Sequence, residues 1–152
     1  VLAAGVEEGE RSDLLAALMR RLASPDPAVA RAAAMAWARY ESAVAEPAAP
    51  RLPDLPADEL DRLARKYRLQ SHYLPAGCFL DEAEFLSGCS ALEGLPVTLI
   101  HGRDDRVCPP ANAERLHAAI PGSRLLWIDG CGHQAFNPAM VAAWQAALAG
   151  AD

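Results

Sequence analysis

The sequence predicts an α/β fold in which a helical region precedes a short parallel sheet. Two nearly unbroken apolar runs, at residues 95–100 and 124–128, are typical of strands that are buried on both faces. A Pro-Pro pair at 109–110 opens the segment between them, which repeats apolar residues at helical spacing until Pro-Gly at 121–122. A strand, a helix and a second strand make a parallel βαβ unit, so both strands end at the same edge of the sheet.

The rest of the chain is predicted to be helical. Ser24-Pro25 separates the first two helices, and the Pro-rich stretch 46–56 is a linker before the third. We therefore divide the chain into a helical region at residues 1–90 and an α/β region at residues 91–152. Apolar periodicity predicts five further helices, at residues 13–23, 27–46, 58–73, 81–86 and 138–149.

Composition excludes several classes of function. The chain is 52% hydrophobic and 22% charged, as in globular domains, and its net charge of −6 comes without a basic stripe, which argues against a nucleic-acid partner. No apolar run reaches transmembrane length and no secretory signal is present, so we expect no membrane association. The four cysteines show no C-x-x-C spacing, which favours reduced thiols in a cytoplasmic protein over a metal site or disulfides.

Two chemically useful side chains follow the predicted strands. Asp105 lies in the loop after the first strand, and His133 lies in the Gly-containing loop after the second. A histidine that acts as a general base needs a carboxylate to hold its ring and to stabilise its protonated form. Because both loops leave the same sheet edge, we expect the two side chains to meet, although acids and histidines are also common in loops that have no catalytic role.

A nucleophile for such a pair is not evident in the sequence. Ser90 lies directly before a predicted strand and lacks the final glycine of G-x-S-x-G, whereas a nucleophile elbow follows a strand. Cys131 lies too near His133 along the chain for a good attack geometry, and Cys108 is interpreted as pocket lining. Since two parallel strands cannot cover both apolar faces of a sheet, and the chain begins without methionine, we expect it to be the C-terminal part of a longer protein that holds the nucleophile upstream.

The segment HGRDDRVCP, followed by GCGH, resembles the C-terminal third of an α/β-hydrolase, in which serine, acid and histidine follow in that order. More narrowly, it resembles the proline iminopeptidases, whose matching segment is HGR-x-D-x-x-CP before a strand and a Gly-containing turn with GH. The resemblance implies that Asp105 is the catalytic acid, that His133 is the base and that Cys108 lies near the active site. It also implies a helical cap followed by the last two parallel strands of the hydrolase sheet and their helices.

The helical region carries a second part of this resemblance. The residues Trp37-Ala38-Arg39-Tyr40-Glu41 resemble the cap signature W-x-x-W-E, with tyrosine in place of the second tryptophan. The resemblance implies that Trp37 and Glu41 belong to the substrate site and that Glu41 binds a free α-amino group; without it, Glu41 is a solvated helix glutamate. Gln70 aligns with a second amine-binding glutamate of the family, and its neutral amide cannot form an ion pair.

The function implied by the resemblance is that of a serine-type aminopeptidase that releases N-terminal proline from small peptides, without a cofactor or a metal. The 152 residues alone are expected to be inactive, because the nucleophile is missing. Two alternatives stay open: another α/β-hydrolase, such as an esterase or amidase, that uses the same Asp105 and His133, and a truncated copy without catalytic function. The sequence does not indicate an oligomeric state.

Overall fold

A computed structural model describes residues 8–150. Residues 1–7 and 151–152, which are the outer ends of the predicted helical and α/β regions, lie outside the described residues. The chain divides into two compact units between Phe79 and Leu80. In the described part of the chain the first unit contains helices and turns, and both strands belong to the second.

The first two helices of the first unit begin at aspartate side chains that cap them. The Asp13 carboxylate accepts the backbone N–H of Ala16 at 3.0 Å, and that of Asp26 accepts the N–H of Ala28 at 2.8 Å. Pro27 takes the first helical position of the second helix, where its missing N–H costs nothing. The elements of this unit are a 3-10 segment Glu8–Asp13, α1 Leu14–Leu22, α2 Pro27–Ala45, α3 Ala57–Tyr73 and a second 3-10 segment Leu74–Phe79.

One hydrophobic core joins these three helices. The rings of Trp37 on α2 and Tyr67 on α3 stack with centroids 5.2 Å apart. The small alanines of α2 allow the helices to approach closely, and Arg68 donates to the Leu22 carbonyl at the end of α1. The buried residues of this core are Leu18, Leu22, Ala30, Ala33, Ala34, Trp37, Ala38, Ala64 and Tyr67.

The second unit is a parallel βαβ arrangement with a preceding short helix and a following one. Its two strands pair in parallel from Thr98 opposite Arg124 to Gly102 opposite Ile128, so their C-terminal ends lie side by side. The helix between the strands packs on both of them, and the last helix packs on the first strand. The elements are α4 Glu82–Gly88, β1 Thr98–Gly102, α5 Pro110–Ala119, β2 Arg124–Ile128 and α6 Pro138–Ala149.

The predicted fold class is confirmed, with one element displaced. No predicted helix differs from the observed one by more than two residues at either end, and β2 and α6 coincide with the prediction. The prediction of the first strand at 95–100 was wrong at both ends, since the strand spans Thr98–Gly102. It does not begin at residue 95 because Pro96 has no N–H and the N–H of Val97 donates to the nearby Leu95 carbonyl. Strand pairing starts later and runs through His101 and Gly102, which are strand residues and not loop residues.

Candidate active site

The end of β1 and the loop after β2 are in direct backbone contact. The N–H of Asp104 donates to the Cys131 carbonyl at 3.0 Å, and the N–H of Arg103 donates to the Ile128 carbonyl at 3.1 Å. Gly102 permits this approach, because a Cβ atom at this position would overlap the carbonyl oxygen of Cys131. Backbone contacts therefore hold together the two loops that carry Asp105 and His133, independently of these two side chains.

Asp105 is fixed by its own loop. Its side chain is 6% exposed, and its Oδ1 atom accepts the backbone N–H groups of Val107 at 2.9 Å and Cys108 at 2.8 Å. This is the turn that aspartate side chains form with the N–H groups two and three residues onward. Because Oδ1 is occupied by these two donors, Oδ2 is the oxygen that meets the neighbouring loop.

The structure brings Asp105 and His133 together. Atom Nδ1 of His133 lies 2.9 Å from Oδ2 of Asp105, and the imidazole side chain is 45% exposed. A neutral His133 must carry its proton on Nδ1 to donate this hydrogen bond, which leaves the lone pair of Nε2 free to take a proton. A buried carboxylate that orients a half-exposed imidazole is the geometry that a general base requires.

The ionisation of Asp105 suits this contact. Burial tends to raise the pKa of its carboxyl, but the N–H of Cys108, the His133 ring and the N–H of Val107 outweigh burial and hold that pKa below its ordinary value. Asp105 is therefore a carboxylate at neutral pH. In that form it stabilises an imidazolium on His133.

A second histidine borders the same carboxylate. Atom Nε2 of His101 lies 3.0 Å from the Cys108 carbonyl and 3.9 Å from Oδ2 of Asp105. Its ring also meets the Trp127 ring edge to face, with centroids 5.9 Å apart. The Nε2–H of His101 thus ties the far end of the loop 103–108 back to β1 and supports the position of Asp105.

Cys108 lies beside the pair. Loss of hydration and the charge of Asp105 raise the pKa of its thiol, although the residue as a whole is exposed. Asp105, Cys108 and His133 offer donor atoms within 4.8 Å of one another, a set that Zn²⁺ accepts in proteins. A metal there would need the thiolate, which this environment disfavours, and would compete with the hydrogen bond between Asp105 and His133, so these residues fit a metal poorly.

Two cavities flank β1. The one that contains Asp105, Cys108 and His133 has a volume of about 300 Å³ and is also lined by His101 and Met140. A larger cavity, of about 440 Å³, lies at the beginning of β1 and is lined mainly by apolar side chains of the strand and of α6. The chemistry-bearing groups are thus in the smaller cavity, at the end of the sheet where parallel-sheet proteins place their sites.

The rival nucleophiles occupy unsuitable positions. Ser90 lies in a 3-10 turn, Cys89–Leu92, and its hydroxyl donates to the Ser87 carbonyl at 2.9 Å. Cys131 is 1% exposed, so its thiol is shielded from substrate. In the described segments that join a strand to the following helix, at 103–109 and 129–137, there is no serine.

In the helical unit, Glu41 is the centre of a hydrogen-bonded cluster. Its Oε1 accepts the indole N–H of Trp37 at 3.0 Å and the side-chain amide of Gln70 at 3.1 Å, and its Oε2 accepts the Tyr67 hydroxyl at 2.9 Å. The Lys66 ammonium lies 3.7 Å from Oε2. The Glu41 carboxylate is therefore oriented by three neutral donors on two helices, with one flexible cation at its side.

The sequence did not predict two of these partners. Trp37, Glu41 and Gln70 were predicted to share a site, and the structure places all three in contact. Tyr67 is 2% exposed and belongs to the hydrophobic core, and its hydroxyl reaches Glu41. Its position three residues before Gln70 on one helix face is the signal that predicts its presence here. Lys66 carries no comparable signal in the sequence.

Comparison with known proteins relates the chain to one family. The α/β-hydrolase family model described as TAP-like protein matches residues 84–149. A proline iminopeptidase of Xylella fastidiosa strain Temecula1 is 36% identical over 137 residues, which cover 89% of this chain and 44% of that protein. A probable proline iminopeptidase of Leptolyngbya boryana is 32% identical over 88% of this chain and 42% of that protein, and the proline iminopeptidase of Arabidopsis thaliana is 31% identical over 90% and 37%.

The fold of the chain is that of the C-terminal part of an α/β-hydrolase, and the family match over residues 84–149 agrees with it. Within this superfamily it is related to the proline iminopeptidases, and the similarity extends over both units. The chain spans about two-fifths of the length of these relatives.

The helices of the chain are too short or too polar for a bilayer. Among residues 8–150, none combines the length and the hydropathy that a membrane-spanning helix needs.

Proposed function

We propose that this chain is the C-terminal part of a serine-type aminopeptidase that releases N-terminal proline from small peptides. The observation that carries the proposal is the 2.9 Å contact between His133 and Asp105 at the C-terminal ends of two parallel strands. The cluster around Glu41 supports the substrate class, because an oriented carboxylate is a good partner for a substrate ammonium. The relatives named proline iminopeptidases support the same class.

In the proposed reaction an upstream serine attacks the carbonyl carbon of the N-terminal proline, and the bond to the amine of the next residue breaks. Nε2 of His133 takes the proton from the serine hydroxyl and returns it to the amine that leaves, and Asp105 holds the ring and stabilises its charge in between. Water then releases proline from the acyl-enzyme by the same proton transfers. Glu41 binds the imino group of the proline, Gln70 and Trp37 orient that carboxylate, and Cys108 lines the cavity at the pair. The reaction uses no cofactor and no metal.

A second candidate is an α/β-hydrolase with another substrate, an esterase or amidase that uses the same Asp105 and His133. Gln70 favours it, because its amide donates to Glu41 at 3.1 Å and adds no negative charge to the amine site. With one carboxylate instead of two, selection for a cationic substrate is weaker. The dependence of hydrolysis on a free α-amino group separates the two candidates.

The test is an assay of the intact hydrolase on proline p-nitroanilide, alanine p-nitroanilide and p-nitrophenyl acetate. We expect a preference for proline p-nitroanilide and a loss of kcat by a factor of about 10³ or more in H133A. E41Q should raise KM for proline p-nitroanilide and leave ester hydrolysis unchanged, whereas E46Q, at an exposed glutamate that follows α2, should change neither. Ester hydrolysis without any aminopeptidase activity would overturn the proposal in favour of the second candidate.

The remaining parts of the proposal concern the location and completeness of the protein. All four cysteines are free, which supports a reducing, cytoplasmic compartment. The 152 residues alone should not hydrolyse proline p-nitroanilide, since the serine and the oxyanion donors lie upstream. An upstream coding sequence with G-x-S-x-G after a strand supports the enzyme, and a stop codon there supports a truncated copy without catalytic function.

A further inference from the structure

The hydrogen bonds of the Glu41 carboxylate do not neutralise its negative charge. Its hydrogen-bond donors, on Trp37, Tyr67 and Gln70, are all neutral groups. Among the described side chains, Lys66 is the only cationic group within 4 Å of the carboxylate, at 3.7 Å from Oε2. The Glu41 side chain is 32% exposed, so the carboxylate is also open to a cation from solution.

Lys66 occupies the place that such a cation would take. Its ammonium lies against the carboxylate and 5.0 Å above the centroid of the Tyr67 ring, an arrangement that attracts any ammonium group. Its side chain is 59% exposed, so it can swing away without disturbing the core beneath Tyr67. It is also the only lysine in the sequence.

We propose that Lys66 is a specificity-determining residue that covers the Glu41 carboxylate in the free protein and is displaced from it by the N-terminal amine of a peptide. This inference rests on the proposed function of Glu41. Two ammonium groups at one carboxylate oxygen repel each other, so the substrate amine binds only when Lys66 moves aside. Lys66 therefore weakens the binding of cationic N-termini and does not affect neutral ligands.

The size of the effect follows from the exposure of the pair. Exposed ion pairs contribute roughly 0.2–1 kcal/mol, which corresponds to about a 1.4- to 5-fold change in a dissociation constant. Removal of the Lys66 charge should tighten the binding of an amine by a factor within that range. The gain in affinity should be smaller at high salt, because salt screens the interaction of Glu41 with Lys66 and its interaction with the amine.

The experiment is an NMR titration of the intact hydrolase, made inactive by H133A, with prolinamide, which carries the ammonium, and with N-acetylprolinamide, which does not. The indole N–H of Trp37 reports binding, since it donates to Glu41 at 3.0 Å. K66M should bind prolinamide about 1.4- to 5-fold more tightly than the protein that keeps Lys66. K66R, which keeps the positive charge, should bind prolinamide as weakly as the protein with Lys66. R62M is the matched control, because Arg62 is a 71% exposed cation on the same helix that pairs with Glu59.

The outcomes separate this inference from the function on which it rests. If E41Q abolishes the response to prolinamide but K66M binds no more tightly than the protein that keeps Lys66 or R62M, Lys66 does not compete and the inference is wrong, while Glu41 remains the amine site. If no variant shows a response that depends on Glu41, both proposals are wrong. Equal tightening for N-acetylprolinamide in K66M would also overturn the inference, because that ligand carries no charge.

Discussion

Gly102 and the carbonyl oxygen of Cys131 are so close that no side chain fits between them. The contact joins the end of β1 to the loop that carries His133. The contact does not depend on the hydrogen bond between Asp105 and His133, since it is made by backbone atoms alone. The catalytic geometry proposed for this chain therefore depends on a residue that takes no part in chemistry.

Replacement of Gly102 by alanine should separate the two loops. The added methyl group would overlap the Cys131 carbonyl, so we expect a loss of about 1–3 kcal/mol in the free energy of unfolding, together with loss of the Nδ1–H signal of His133 that the Asp105 hydrogen bond protects. Urea unfolding and proton NMR measure the two effects. G88A is the control, because a Cβ at Gly88 meets no atom within 4 Å; an equal effect of both variants would contradict the explanation.

Asp105 should make the stability of the chain depend on acid pH. Its pKa is lower in the folded chain than the ordinary 3.8, so the carboxylate contributes stability at pH values above about 4 and loses it as the pH falls through the lower, folded pKa. D105N should therefore lower the free energy of unfolding by more at pH 6 than at pH 2. Urea unfolding across this range measures the difference, and D104N corrects for the loss of one negative charge from the same loop. A cost that does not depend on pH would contradict the prediction.

Tyr67 should contribute through its hydroxyl as well as its ring. The hydroxyl donates to Glu41 at 2.9 Å, and hydrogen bonds to charged groups contribute roughly 1.5–3 kcal/mol. We expect Y67F to lower the free energy of unfolding by about 1–2 kcal/mol, because Glu41 keeps its other donors. Y40F, at a tyrosine that is 43% exposed, should change it by less than about 0.5 kcal/mol. Equal costs for the two variants would show that the Glu41 cluster adds no stability.

The helical core should respond strongly to a cavity at Leu22. Its side chain is fully buried, and Leu→Ala changes at such positions cost about 2–5 kcal/mol. L69A is the matched control, since Leu69 is 63% exposed and should cost less than about 0.5 kcal/mol. Chemical denaturation of both variants gives the comparison. A small cost for L22A would mean that α1 is not part of a cooperative core.

Local patterns were sufficient for most of the fold. The Ser24-Pro25 break before α2, the Pro-Gly stop after α5 and the apolar run of β2 each predicted the limit of an element close to where it lies. The first strand was misplaced because hydrophobic periodicity does not show where a strand finds its partner. Its limits are set by pairing with Arg124–Ile128, and that pairing exists only in the folded chain.

The amino-acid sequence by itself determined the order of the elements and the types of the candidate residues: Asp105 after one strand, His133 after the next, and Trp37 and Glu41 one turn apart on a helix. Only the tertiary structure decided which atoms meet, namely that Oδ2 of Asp105 faces His133 and that Tyr67, Gln70 and Lys66 converge on Glu41. The reason is physical: caps and periodicity act over a few neighbouring residues. Distances between side chains 28 or 29 positions apart depend instead on how backbones such as those of Gly102 and Cys131 pack.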